Sequence, residues 1–116
     1  MDRITVYQKP PCSTCRQVHA ALRAAGVDFN TVDYFLEPLS AATLERLLGK
    51  MGIKPRGLLR TKEERYKRLG LEGSHHTDGE LLALMVLHPD LMQRPIVERG
   101  NRAILARPAE RLQEIL

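Results

Sequence analysis

Tryptophan is absent from the sequence, and the other aromatic residues are few, with two phenylalanines and three tyrosines among 116 residues. So few rings leave little surface on which nucleic-acid bases could stack, and we expect no direct nucleic-acid partner. Long apolar runs are also missing, and the chain begins MDRITVY. We therefore expect neither a signal peptide nor a membrane-spanning helix, and a cytoplasmic location.

Charge of one sign is not strongly in excess. Eighteen Lys and Arg residues stand against 14 Asp and Glu residues, which gives a formal net charge of +4. This balance supports a mild preference for anionic partners and excludes little else. The length suits one domain that buries a core without disulfide bonds, so we expect a single domain over residues 1–116.

Only two cysteines occur, Cys12 and Cys15, and only Ser13 and Thr14 separate them. Alternating apolar residues predict a strand before them, Pro10 and Pro11 exclude its continuation, and helical spacing follows. Cys12 is therefore expected at the first helical turn, where unpaired N–H groups and the helix dipole stabilise a thiolate. Cys15 lies one turn further on, as a candidate resolving thiol.

Three readings of this pair stay open on the residues alone. A Cys-x-x-Cys motif between a strand and a helix is typical of thioredoxin-like redox sites. A zinc site would need further ligands, which His75 and His76 could supply. Two buried cysteines without chemistry are the third reading.

The remaining pattern predicts an order of β-α-β, three helices and β-β-α, which is a thioredoxin-like α/β fold. It has a mixed four-stranded sheet and a central helical insertion. The first half of the chain is predicted to contain a strand around Ile4 and Val6, a helix ending at Gly26 with Val18, Ala21, Leu22 and Ala25 on one face, a strand at 27–34, and a helix from the N-cap Ser40 to Gly52. A connector at 56–61, a charged and solvated helix at 62–69, a loop at 70–76 and an apolar helix from Thr77 to His88 follow. The chain then continues with strands at 96–98 and 102–105 and a terminal helix at 109–116, with Leu112, Ile115 and Leu116 buried.

Four motifs then carry a resemblance to a known family: KPPCSTCR at 9–16, PRGLLR at 55–60, HPDLMQRPIV at 88–97 and ARPAE at 106–110. Together they resemble the glutaredoxin-linked arsenate reductase (ArsC) family over nearly the full length. The resemblance implies an oxidoreductase that reduces arsenate to arsenite with a redox-active cysteine. It implies no bound cofactor and no metal, with glutathione as cosubstrate and glutaredoxin as partner.

Site residues follow from the same resemblance, position by position. Cys12 would attack arsenic, and the three arginines Arg60, Arg94 and Arg107 would surround the oxyanion. A cis bond between Arg94 and Pro95 would lie beside the cysteine. Guanidinium groups stay charged and bind oxyanions through two N–H groups at once, so this set agrees with the chemistry. Ser13 and Thr14 hydroxyls are expected to help bind the substrate.

Two departures from the family pattern keep alternatives open. Gln8-Lys9-Pro10 stands where better-known members have His-Asn-Pro, so thiolate formation would depend on Lys9, the arginines and the helix. Cys15, which those members lack, makes the start of this chain resemble the Spx-type regulators. That resemblance implies a Cys12–Cys15 disulfide that switches binding to RNA polymerase. A resolving thiol at Cys15 would also permit recycling of the enzyme by thioredoxin. A third alternative is a thiol-disulfide reductase of unknown substrate that binds glutathione.

Overall fold

The computed structural model describes residues 3–9, 12–73 and 75–116. Two compact units make up the chain: Met1–Glu37 with Arg94–Leu116, and Pro38–Gln93. A single domain over residues 1–116 stays a prediction. The predicted effect of Pro10 and Pro11 on the first strand lies outside the described residues.

A mixed four-stranded sheet forms the centre of the first unit. Its strands are β1 (Ile4–Gln8), β2 (Phe29–Asp33), β3 (Ile96–Arg99) and β4 (Arg102–Leu105). The order is β2-β1-β3-β4, with β1 parallel to β2 and the other neighbours antiparallel. The predicted α/β class, the parallel βαβ unit and the C-terminal hairpin are confirmed.

One face of this sheet packs against the helix that carries both cysteines. Ile4 and Val6 are fully buried, and α1 (Ser13–Ala24) covers them with Val18 and Leu22. Burying such side chains stabilises the folded state by about 1.5–3 kcal/mol each. The start of α1 is therefore held at the carboxyl end of β1.

The end of α1 differs slightly from the prediction. The helix stops at Ala24, and Gly26 follows with a φ of +68°, a conformation that favours glycine. Ala25 is exposed although it was expected on the buried face, because it already lies past the last helical residue.

Helices make up the second unit. They are α2 (Ala41–Met51), α3 (Pro55–Leu58), α4 (Glu64–Arg68), α5 (Asp78–Leu87) and a 3₁₀ turn (Pro89–Leu91). Ser40 caps α2, Gly52 ends it in a left-handed conformation, and Thr77 and Glu80 form the predicted capping box of α5. None of the helices in the described part of the chain combines the length and apolarity needed to cross a bilayer.

Two predictions for this unit need correction. The connector at 56–61 includes the short helix α3, which Pro55 can start because its missing N–H is not needed in a first turn. The charged helix is not wholly solvated, since Tyr66 is 6% exposed. Apart from these corrections, Leu87 of the apolar helix α5 is 70% exposed.

The C-terminal segment is helical, but of the 3₁₀ type, over Ala109–Glu114. Such i→i+3 turns are common in short helical pieces. Leu112 and Ile115 are buried against the sheet as predicted, whereas Leu116 is 40% exposed.

Candidate active site

Cys12 is the N-cap residue of α1. Its backbone is extended, with φ −150° and ψ 118°, and its sulfur accepts a hydrogen bond from the N–H of Cys15 at 3.3 Å. The first N–H groups of a helix have no partner within the helix. The thiol sulfur therefore occupies the place that a serine or aspartate oxygen takes at most N-caps.

Opposing effects act on the pKa of Cys12. Partial burial raises it, but the Cys15 thiol and N–H and the Arg94 guanidinium all donate hydrogen bonds to the sulfur, and Arg94 adds its charge. The balance lowers the pKa of Cys12 below that of an ordinary thiol. The thiolate is the nucleophilic form, so the site favours attack by this residue.

Cys15 has the opposite character. It is 3% exposed, and burial together with the neighbouring Cys12 raises its pKa to about 12. The backbone N–H of Lys9 and the charge of Arg94 act against this rise. Both cysteines are free thiols, so Cys12, with its lowered pKa, lies beside Cys15, which stays protonated at neutral pH.

Arg94 lies two residues before β3, and its guanidinium acts on Cys12 by a hydrogen bond and by its charge. Its Nε is buried and has no hydrogen-bond partner among the described residues. An unpaired buried donor is costly, and an anion at this place would remove the cost. The Arg94–Pro95 peptide bond is cis, and Pro95 is buried with its carbonyl accepting from the N–H of Ala106 at 3.0 Å.

Arg107 connects two parts of the site. Its Nη1 donates to Oγ1 of Thr14 at 3.3 Å and to the carbonyl of Arg94 at 3.3 Å. The side chain is otherwise exposed, as is Ser13 in the first turn of α1. Cys12, Thr14, Arg94 and Arg107 are thus brought together within the first unit.

Arg60 belongs to the second unit. A two-stranded contact fixes its backbone, with its N–H donating to the carbonyl of Leu91 at 2.7 Å and Leu59 bridging to Met92. Its guanidinium lies 4.0 Å from the carboxylate of Glu63. A role for Arg60 at the oxyanion stays a prediction from the family resemblance.

A contact between Gln8 and His19 beside the site was not predicted from the sequence. Oε1 of Gln8 lies 2.5 Å from Nε2 of His19, and Gln8 is 7% exposed. From the sequence, Gln8 stood out only as a departure from the family pattern, because its burial and its contact with His19 depend on how α1 packs. The ammonium group of Lys9 lies over the ring of Phe35, 4.2 Å from its centroid.

Comparison with known proteins agrees with this geometry. The model of the ArsC family matches residues 7–115. An arsenate reductase of Acidiphilium multivorum is 39% identical over 116 residues, which cover 100% of this chain and 82% of that protein. An uncharacterized Escherichia coli protein, YfgD, is 38% identical over 115 residues, which cover 98% of this chain and 97% of that protein.

Solved structures show the same similarity. A structure described as an arsenate reductase from Vibrio cholerae superimposes with a TM-score of 0.94 at 36% identity. The match covers 99% of this chain and 98% of that one. The thioredoxin-like arrangement inferred from element order is therefore confirmed.

Proposed function

Because this chain belongs to the ArsC family, we propose that it is a thiol-dependent arsenate reductase in which Cys12 is the nucleophile. The proposal has support from 36–39% identity to proteins named arsenate reductase. It also agrees with the paired arginines around a thiol of lowered pKa. No observation on the described residues or among these similar proteins favours the Spx-type alternative.

The oxyanion would bind where Arg94 and Arg107 meet the first turn of α1. Arsenate carries negative charge near neutral pH, and guanidinium groups donate two N–H bonds to such an anion. The buried Nε of Arg94 offers one donor without a competing partner among the described residues. The hydroxyls of Ser13 and Thr14 would supply further donors, and the family resemblance alone implies Arg60 as a third arginine.

In the first step the Cys12 thiolate attacks arsenic. A sulfur–arsenic bond forms, and an arsenate oxygen leaves as hydroxide or, once protonated, as water. Negative charge develops on the remaining oxygens, and the fixed positive groups of Arg94 and Arg107 stabilise it. Arsenic is still pentavalent at this stage, so a second thiol is required for reduction.

Two thiols could complete the reaction. Glutathione, with glutaredoxin, is the donor that the family resemblance implies. Alternatively the Cys15 thiolate attacks the Cys12 sulfur, forming a Cys12–Cys15 disulfide while arsenic leaves with the electron pair as arsenite. Two thiols are then oxidised as arsenate is reduced by two electrons, and thioredoxin would restore the thiols. Either route fits the cytoplasm, where thiols are kept reduced.

The proposal depends mainly on one observation. Cys12 Sγ lies at the N-cap of α1, and the Arg94 guanidinium lowers the pKa of this thiol by a hydrogen bond and by its charge. Arsenite formation by the purified protein, supplied with glutathione and glutaredoxin and separately with thioredoxin, tests it. Cys12→Ser should abolish turnover. Arg94→Ala should lower kcat/KM by roughly tenfold to a hundredfold, as expected for a lost charged hydrogen bond.

Arg111→Ala provides the matched control, because this arginine is exposed and pairs with Glu114 outside the site. It should leave turnover unchanged. Full activity in Cys12→Ser would overturn the assignment of the nucleophile. An inactive parent protein that still forms a reversible Cys12–Cys15 disulfide would instead favour the regulator.

A further inference from the structure

The end of β1 is tied to α1 at two points, one helical turn apart. The backbone N–H of Lys9 faces the sulfur of Cys15 and lowers the pKa of this thiol. The side chain of its neighbour Gln8 accepts from Nε2 of His19 at 2.5 Å. Cys15 and His19 are four residues apart and therefore lie on the same face of α1.

Nothing in the arsenate chemistry described above uses His19. We propose that His19 is a positioning residue that, through Gln8, holds the Lys9 amide against the sulfur of Cys15 and thereby sets the reactivity of this second thiol. The proposal rests on the role of Cys15 as resolving thiol in the proposed function. It adds that His19, which lies outside the Cys-x-x-Cys motif, affects the reactivity of the Cys15 thiol.

The surroundings of His19 suit a fixed, neutral imidazole. Its ring packs on Phe29, with centroids 5.2 Å apart, and both burial and the charge of Arg23 lower the pKa of His19. A neutral imidazole carries one N–H, which Nε2 donates to Oε1 of Gln8. Because Gln8 is almost fully buried, loss of this donor leaves its amide oxygen unpaired and frees its rotamer.

The effect should fall on Cys15 more than on Cys12. Gln8 and Lys9 share a peptide unit whose carbonyl accepts from the N–H of Tyr34 at 3.1 Å. The unit can therefore only tilt about that bond, and a tilt that follows the loss of the Gln8 contact changes the direction of the N–H that faces Cys15. This N–H stabilises the Cys15 thiolate, the form that attacks a disulfide or a Cys12 adduct. The hydrogen bonds that lower the pKa of Cys12 come from Cys15 and Arg94.

An aromatic disulfide, 5,5′-dithiobis(2-nitrobenzoate), separates the two thiols without arsenate. In the first phase the Cys12 thiolate attacks the reagent, a mixed disulfide forms, and one thionitrobenzoate leaves. In the second phase the Cys15 thiolate attacks the Cys12 sulfur, forming the Cys12–Cys15 disulfide and releasing a second thionitrobenzoate. The reagent is the oxidant in both steps, and stopped-flow absorbance follows both releases.

We expect His19→Leu to slow the second phase by about fivefold, the effect of one lost hydrogen bond, and the first phase by less than about twofold. His19→Gln keeps an N–H donor near the position of Nε2 and should restore much of the second rate. Gln17→Leu, an exposed change on the same helix, should alter neither phase.

Gln8→Leu should reproduce the slow second phase, and the double variant with His19→Leu should be no slower than either single variant, since both act through one contact. Equal slowing of both phases, an unchanged second phase, or absence of a second phase in the parent protein would overturn the inference. Because the probe contains no arsenate, failure of the reductase assignment would appear separately, as a lack of arsenite with both phases intact.

Discussion

Nη1 of Arg107 donates to the backbone carbonyl of Arg94 at 3.3 Å, so one arginine of the site holds the chain that carries the other. The same Nη1 reaches Thr14 in the first turn of α1. Arg107→Ala should raise the KM for arsenate by about tenfold, because one charged donor is lost and Arg94 is less firmly placed. Steady-state kinetics with arsenate as the varied substrate will measure this.

Stability should change little in the same variant, since the Arg107 side chain is exposed. Arg107→Lys keeps the charge but not the planar fork, and an intermediate KM is expected. An Arg107→Ala protein with the parent KM would remove this residue from the binding site.

Arg94→Ala should make Cys12 less acidic. Its guanidinium lowers the pKa of Cys12 by a hydrogen bond and by its charge, so its removal raises that pKa and reduces the thiolate fraction at neutral pH. The rate of Cys12 alkylation by iodoacetamide against pH reports this value. Running the assay in a Cys15→Ala background for both proteins isolates Cys12, and coincident profiles would contradict the assignment.

Cys15→Ser should separate the two recycling routes. The variant keeps Cys12 but cannot form the internal disulfide, so it should turn over arsenate only when glutathione and glutaredoxin are supplied. Arsenite formation is measured with each reducing system. Turnover equal to that of the parent with thioredoxin alone would refute a resolving role for Cys15.

The raised pKa of Cys15 should make the protein less stable in alkali. The pKa of an ordinary cysteine thiol is 9.0, whereas that of Cys15 in the folded protein is about 12. At pH values between these two, Cys15 keeps its proton in the folded protein and loses it in the unfolded chain. Its contribution to the free energy of unfolding is therefore complete at lower pH and is lost as pH rises through this window. From about pH 9 to about pH 10 the loss should be about 1 kcal/mol.

Urea unfolding of the reduced parent and of Cys15→Ala at these two pH values measures that difference. The lowered pKa of Cys12 acts in the opposite direction, and Cys12 is present in both proteins, so the difference between parent and variant reports Cys15. The parent should lose more stability than the variant over this step. Parallel losses in both proteins would show that Cys15 titrates normally.

Local patterns along the chain predicted most of the fold. The alternation in β1, the cap residues Ser40 and Thr77 and the turn at Gly100 each act over a few residues, so the sequence displays them directly. The errors concern helix ends and exposure. Leu116 has the chemistry of a core residue and was expected to be buried, but it is 40% exposed.

The site was predictable only in part, for a physical reason. Cys12 at a helix start is a local feature, whereas Arg94 and Arg107 lie 82 and 95 residues further along the chain and are brought near it by the pairing of β3 with β1. Only the family resemblance named them beforehand. The pairing of Gln8 with His19 lay beyond both kinds of reasoning, because it depends on the rotation of α1 against β1.

The use of a sulfur atom as the cap of α1 makes the helix sensitive to the chemical state of that atom. When Cys12 binds arsenic or joins a disulfide, its sulfur becomes a much weaker acceptor, and the N–H of Cys15 loses its charged partner. Hydrogen exchange at this one amide should therefore be slow in the resting protein and faster in each covalent intermediate. The exchange rate of the Cys15 amide, measured by NMR, would therefore report the covalent state of Cys12 without any label on the thiols.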